Sequence, residues 1–126
     1  MIERNKKITI GNKSFVVVFP NIGQILDIES MKQALTNNRY GVMVQSGLKS
    51  AYYALDIVDA VSFIQIVTPE ISRYYDISNY LTMSPDKVQE FVKVYQEQIK
   101  PWYDEVMLQL QNPLNNDEGM EKEKQS

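Results

Sequence analysis

The sequence predicts an α+β domain that is mainly α, with one N-terminal β-hairpin packed on three to five helices. Two β-rich runs flank a Gly-Asn turn near the start of the chain, which is typical of a hairpin. Apolar residues then recur at helical spacing, and proline-containing motifs mark new helix starts. The chain has 126 residues, 44% of them hydrophobic, which is enough for the core of one domain.

The predicted hairpin spans residues 7–19. A two-residue turn fixes the register and places Ile8 opposite Phe15 on one face. Val16 and Val18 then point to the other face, so the second strand is apolar on both sides. We expect the chain's own helices to cover one face, which leaves the other open to another chain.

The first helix is predicted over residues 22–36. Pro20 ends the strand, Asn21 is a suitable N-cap, and Gln24 is placed to complete a capping box. A broad apolar face follows, formed by Ile22, Ile25, Leu26, Ile28, Met31, Ala34 and Leu35. Residues 36–41 have the composition of a loop.

Residues 42–67 form one long helix or two shorter ones, with a break expected at Gly47. The β-branched end, residues 64–67, is also compatible with a strand, although the pattern favours a helix. The apolar stretch from residue 48 to residue 67 is long enough to cross a membrane. The charged residues inside it are Lys49, Asp56 and Asp59. Since each is costly in hydrocarbon, we predict no membrane partner and a helix buried in protein.

Two further helix starts follow. Thr68-Pro69-Glu70 predicts a short helix over 69–76 and then a loop over 77–80, and Ser84-Pro85-Asp86 predicts a longer helix. The longer helix contains an apolar seam at spacings of four and three, namely Val88, Val92, Tyr95, Ile99, Trp102 and Val106. The seam keeps its phase across Pro101, which indicates one kinked helix.

The end of the chain changes in composition. Residues after Asn112 are almost all polar or charged and cannot bury themselves. We therefore predict a single globular domain over residues 1–111 and a flexible, disordered tail over residues 112–126.

The chain contains no cysteine and no histidine. This composition excludes zinc sites built on those ligands and Ser-His-Asp or Cys-His catalysis within the chain. The net charge of −3 gives no cationic surplus for nucleic acid, and no glycine-rich phosphate loop is present. Asp56 and Asp59, with Lys49 seven residues before Asp56, allow a carboxylate–metal site. The favoured interpretation is a thin solvent-facing stripe, so we predict no catalytic residue, cofactor or metal.

The apolar seam is the candidate partner-binding surface. One hairpin and a few helices offer limited cover for so long a stripe, and tyrosine and tryptophan are common at interfaces. The predicted partner-binding residues are Val88, Val92, Tyr95, Ile99, Trp102, Tyr103 and Val106.

Residues 8–24, which run straight into a helix containing Asp27, Ile28 and Glu29, resemble the opening of small tailed-bacteriophage proteins encoded near tail and virion genes. These include tail assembly chaperones. The resemblance implies a short hairpin, a proline-containing turn, helices and a polar tail. It also implies other phage proteins or a second copy as partners, and the host cytoplasm or the virion as location. It carries over no functional residue.

The expected function is non-enzymatic phage assembly by protein–protein contact; the alternatives are a permanent virion or tail component and a small carboxylate–metal enzyme.

Overall fold

The structure, a computed structural model, describes residues 2–112 and shows a two-stranded hairpin followed by helices. The elements are β1 Asn5–Ile10, β2 Lys13–Val18, α1 Ile22–Leu35, α2 Tyr40–Gln45, α3 Lys49–Val67, α4 Pro69–Tyr75, a 3-10 helix Ile77–Thr82, α5 Pro85–Val94, a π-helical segment Tyr95–Ile99, and α6 Lys100–Gln111. The predicted α+β, mainly helical class is confirmed. The predicted tail, apart from Asn112, lies outside the described residues.

The hairpin has the predicted antiparallel register, with Ile8 opposite Phe15. Gly11 sits in the turn with a φ of 61°, the left-handed conformation that this tight turn requires. Val17 joins Ile8 on the buried inner face, whereas Val16 on the outer face is 61% exposed. The two apolar faces of β2 are confirmed, and cover of the outer face by another chain stays a prediction.

Helix α1 begins with the predicted capping box. The Asn21 side-chain oxygen accepts a hydrogen bond from the Gln24 backbone N–H at 2.8 Å, and Gln24 Oε1 accepts one from the Asn21 N–H at 2.9 Å. The start of α1 lies near the end of α3, because Gln24 Nε2 approaches the Ile66 carbonyl at 3.5 Å. The two helices therefore run antiparallel, which brings Lys32 of α1 close to Asp59 of α3.

The broad apolar face predicted for α1 is only partly buried. Ile28 is buried, whereas Ile22 and Leu26 are exposed. The reason is that α1 packs chiefly on one neighbour, α3, and a single helix covers a narrower stripe than the sequence pattern offers.

The middle of the chain forms two helices, α2 and α3, separated at Gly47, whose φ is 73°. Residues 64–67 are helical, as favoured, and not a strand. The preceding loop is shorter than predicted, because α2 already begins at Tyr40. Asn37 and Asn38 take positive φ values there, which asparagine tolerates better than most residues.

The proline-containing starts of α4 and α5 are confirmed, although only one has a side-chain cap. Ser84 Oγ accepts a hydrogen bond from the Lys87 N–H, whereas the Thr68 hydroxyl donates backwards to the Ile64 carbonyl at 3.1 Å. After α4 the chain does not form the predicted loop over 77–80, because a 3-10 helix occupies this region.

The chain is helical without interruption from α5 through α6, as the seam phase predicted, and Pro101 lies just after the π-helical segment. The Lys100 N–H donates to the Tyr95 carbonyl, five residues back. This wider turn accommodates the proline within the helix, because proline has no N–H and its ring crowds the carbonyl four residues before it.

Candidate protein-binding surface

The apolar seam does not form a partner surface, because it lies in the chain's own core. Its six members are all buried: Val88, Val92, Tyr95, Ile99, Trp102 and Val106. Tyr103, the seventh predicted partner-binding residue, is partly buried and packs on Phe19 and Phe63, with ring centroids 5.4 Å and 5.0 Å away. The six buried side chains have no free area for a partner and Tyr103 has little, so the prediction that these residues form a partner-binding surface is corrected.

Trp102 shows how the core closes. Its indole Nε1 donates a hydrogen bond to the Glu3 carbonyl at 2.7 Å, and the Phe19 ring meets it edge-on at 5.8 Å. Residues just before β1 and just after β2 thus cover the Trp102 end of the seam, which was expected to contact another chain.

Asp59 is held in a polar cluster between α1, α2 and α3. Its Oδ1 accepts a hydrogen bond from the Tyr40 hydroxyl at 2.6 Å, and Lys32 Nζ lies 3.8 Å away. Burial raises the pKa of the Asp59 carboxyl, although the Tyr40 hydrogen bond and the Lys32 charge act in the opposite direction. Burial and the Asp59 carboxylate together raise the pKa of the Tyr40 hydroxyl.

The carboxylate pair is therefore not a solvent-facing stripe. Asp59 is anchored to Tyr40, Asp56 is partly buried, and Lys49 is exposed near the start of α3. Within residues 2–112, no three acidic side chains come close enough together to hold a metal ion. The geometry gives Asp59 a positioning role for α2 and shows no ligand set for a cation in this part of the chain.

One group of exposed apolar side chains lies on α2, on the residue before α3 and on the first turns of α3. We call it the apolar tip and define it by Val42, Val44, Leu48, Tyr52 and Tyr53, which are all exposed. Val42 is 70% exposed and Leu48 60%. Residues 40–55 contain a single charged side chain, Lys49. An exposed apolar segment with so little charge is characteristic of a contact surface.

The apolar tip is held in shape from its base. The Tyr40 hydroxyl ties the start of α2 to Asp59, and the Tyr52 hydroxyl approaches the Val44 carbonyl at 3.4 Å. Burial in α3 begins only at Leu55. The first turns of α3 therefore extend past the core, with α2 packed beside them.

The prediction that residues 48–67 form a helix buried in protein holds for the second half only. Residues 55–64 of α3 contain all its buried positions, whereas Leu48, Tyr52 and Tyr53 are exposed. By length and composition alone, α3 is apolar enough to cross a membrane, a test that a core helix also passes. The sequence feature that marks the apolar tip is the near absence of charge over residues 40–55, which the seam interpretation overlooked.

Comparison of the chain with protein-family models, curated proteins and solved structures found no match. The apolar tip itself offers apolar and tyrosine contact area on two helices.

Proposed function

We propose that this chain is a non-enzymatic assembly protein that acts by protein–protein contact through the apolar tip. The observation that carries the proposal is the exposure of Val42, Val44, Leu48, Tyr52 and Tyr53 on one helical pair. Large apolar patches are uncommon on soluble monomers and mark contact sites when present. Tyrosine fits such a site because it combines apolar area with a hydroxyl that tolerates water.

The mode of contact follows from the shape and charge of the apolar tip. A helical pair that extends past its own core suits an apolar groove on a partner. Only Lys49 would have to remain at the rim, so binding removes little charge from water. Burial of apolar area, at about 25 cal/mol per Å², would then supply most of the binding free energy.

The tailed-phage setting is supported by the resemblance of residues 8–24 to the opening of small tail-assembly and virion proteins. In that setting the partners are other phage proteins or a second copy, and the location is the host cytoplasm or the virion. Tail assembly chaperone is the leading role, and a permanent virion or tail component is the rival. Mass spectrometry of purified particles separates the two, because a chaperone is absent from them and a structural component is present.

The test of the contact surface is co-purification from the native host with quantitative mass spectrometry. We expect the variant Leu48→Ser with Tyr53→Ser to lose the bound partner by at least about tenfold, since an interface anchor contributes on the order of 2 kcal/mol. The matched control is Leu81→Ser, because Leu81 is 82% exposed but lies in the 3-10 helix. Equal partner recovery with both variants would refute the apolar tip as the contact surface.

A further inference from the structure

The two edges of the hairpin differ. The edge of β1 is closed at Thr9, whose N–H donates to Gln98 Oε1 at 2.9 Å and whose carbonyl accepts from Gln98 Nε2 at 2.8 Å. Thr9 lies opposite Ser14 in the register. Since facing residues in an antiparallel pair direct their backbone groups either toward each other or away, those of Ser14 point to the free edge of β2.

The edge of β2 is open. By alternation, Val16 and Val18 share the orientation of Ser14, and the Phe19 N–H to Arg4 carbonyl bond at 2.8 Å fits the same alternation. Within the described residues, the outward N–H and carbonyl groups of these three positions have no hydrogen-bond partner. An unpaired edge of this kind is a template for another strand.

A groove runs between this edge and α4. Its deeper part is a hollow of about 290 Å³ with Phe15 and Val16 on the strand side and Pro69 and Ile71 on the helix side. It continues into a more open hollow of about 430 Å³ that reaches Ser14 and the end of α4. Backbone donors and acceptors on one wall and apolar side chains on the other are the features that bind an extended peptide.

The charged side chains that line the groove favour an acidic occupant. Lys13 and Arg73 both line it, and neither forms an ion pair within residues 2–112. Lys13 Nζ lies 5.5 Å from the centre of the Tyr74 ring, which keeps it beside the groove. Glu70 is the single acidic lining residue, so the groove is positive in a chain whose net charge is −3.

We propose that the groove between β2 and α4 binds an extended acidic segment of a partner protein as a third strand. Neighbouring strands lie about 4.8 Å apart, so a single chain pairs with β2 alongside α4. A second copy that paired edge to edge would place its own α4 and its own two cations beside those of the first copy. Crowding and repulsion between like charges therefore disfavour a second copy as the occupant. This inference goes beyond the proposed function and does not depend on it, because the groove and the apolar tip lie at opposite ends of α3, about 28 Å apart along the helix.

The test uses the full chain and two fluorescent capped peptides of about eight residues, one alternating valine with glutamate and one alternating valine with lysine. We expect the glutamate peptide to bind at least about tenfold more tightly than the lysine peptide. Amide hydrogen exchange should slow at Ser14, Val16 and Val18 when it binds, because their N–H groups become paired.

Val16→Pro tests directly whether the free edge of β2 pairs with the bound peptide. Its N–H points to the free edge, so proline removes the pairing donor without removing a bond to β1, and we expect binding to fall at least tenfold (about 1.4 kcal/mol). The matched control Val16→Thr keeps the N–H and the branched side chain and should bind like the wild type. Arg73→Glu, which leaves β2 untouched, should reverse the preference between the two peptides.

Three results would overturn the proposal. The first is no binding of the glutamate peptide up to about 1 mM. The second is equal binding to the wild type and to a folded Val16→Pro variant, or an unchanged peptide preference in Arg73→Glu if the proline variant does not fold. The third is self-association of the wild type that Val16→Pro abolishes, without peptide binding, which would assign the edge to a second copy.

Discussion

The apolar seam of α5 and α6 and the apolar tip of α2 and α3 are similar in composition and opposite in exposure. The seam lies between the hairpin and α3, so its residues are covered from within the chain. The apolar tip lies at the N-terminal end of α3, before the buried part of that helix begins, and its side chains stay exposed. An apolar pattern predicts that a face favours burial. The position of that face in the fold determines whether the same chain buries it.

The aromatic residues show the same contrast. Tyr95 in the seam is buried against Phe63, with ring centroids 5.6 Å apart, and burial raises the pKa of its hydroxyl. Tyr52 and Tyr53 in the apolar tip remain exposed. Tyrosine content alone therefore does not identify an interface, because the same residue type serves both regions.

The largest effect is expected at the seam. Trp102→Ala removes a buried aromatic side chain together with its hydrogen bond to the Glu3 carbonyl, and should lower the free energy of unfolding by about 3–5 kcal/mol. Urea denaturation followed by circular dichroism measures this loss. Leu108→Ala is the control, since Leu108 lies on the same helix but is 61% exposed. Equal losses in the two variants would contradict the placement of the seam in the core.

A smaller effect is expected at the base of the apolar tip. Tyr40→Phe deletes the hydroxyl that donates to Asp59 and should lower the free energy of unfolding by about 1.5 kcal/mol, the net contribution of a hydrogen bond to a charged group. Tyr52→Phe is the matched control, because its hydroxyl is exposed and its bond to the Val44 carbonyl is long. If Tyr40→Phe has no more effect than Tyr52→Phe, the apolar tip is not anchored through Asp59.

The pH dependence of stability tests the same cluster. Burial raises the pKa of Asp59 in the folded chain, so the folded state holds this proton to a higher pH than the unfolded state does. Its contribution to stability therefore falls as pH rises from the ordinary aspartate value, about 3.9, through the raised value, and stays constant above it. In Asp59→Asn the free energy of unfolding should therefore decrease less across this pH window. Urea titrations at a series of pH values measure this difference. Identical pH profiles for the variant and the wild type would contradict the buried placement of the carboxyl.

The smallest effect on stability is expected at the apolar tip itself. Leu48→Ser replaces an exposed side chain and should change the free energy of unfolding by less than about 0.5 kcal/mol. Thermal melting of the isolated chain measures this. A loss of several degrees would show that Leu48 is packed on its own chain and would remove the contrast with the seam.

The elements that depend on near neighbours in the chain could be predicted from the sequence. The hairpin register, the Asn21–Gln24 capping box, the break at Gly47 and the start at Ser84 all match the structure. Each rests on interactions within a few residues, where backbone geometry leaves few alternatives. The low charge of residues 40–55, which marks the apolar tip, was also visible in the sequence.

Which apolar faces the chain covers for itself could not be predicted from the sequence, because it depends on contacts between distant residues. Trp102 meets Glu3 across 99 residues, and Gln98 closes the edge of β1 at Thr9 across 89. No local spacing encodes such contacts, because they depend on how the rod formed by α5, the π-helical segment and α6 crosses the hairpin. In this arrangement the seam is buried, the apolar tip lies beyond the core, and the free edge of β2 faces α4. One small hairpin cannot cover every apolar face at once.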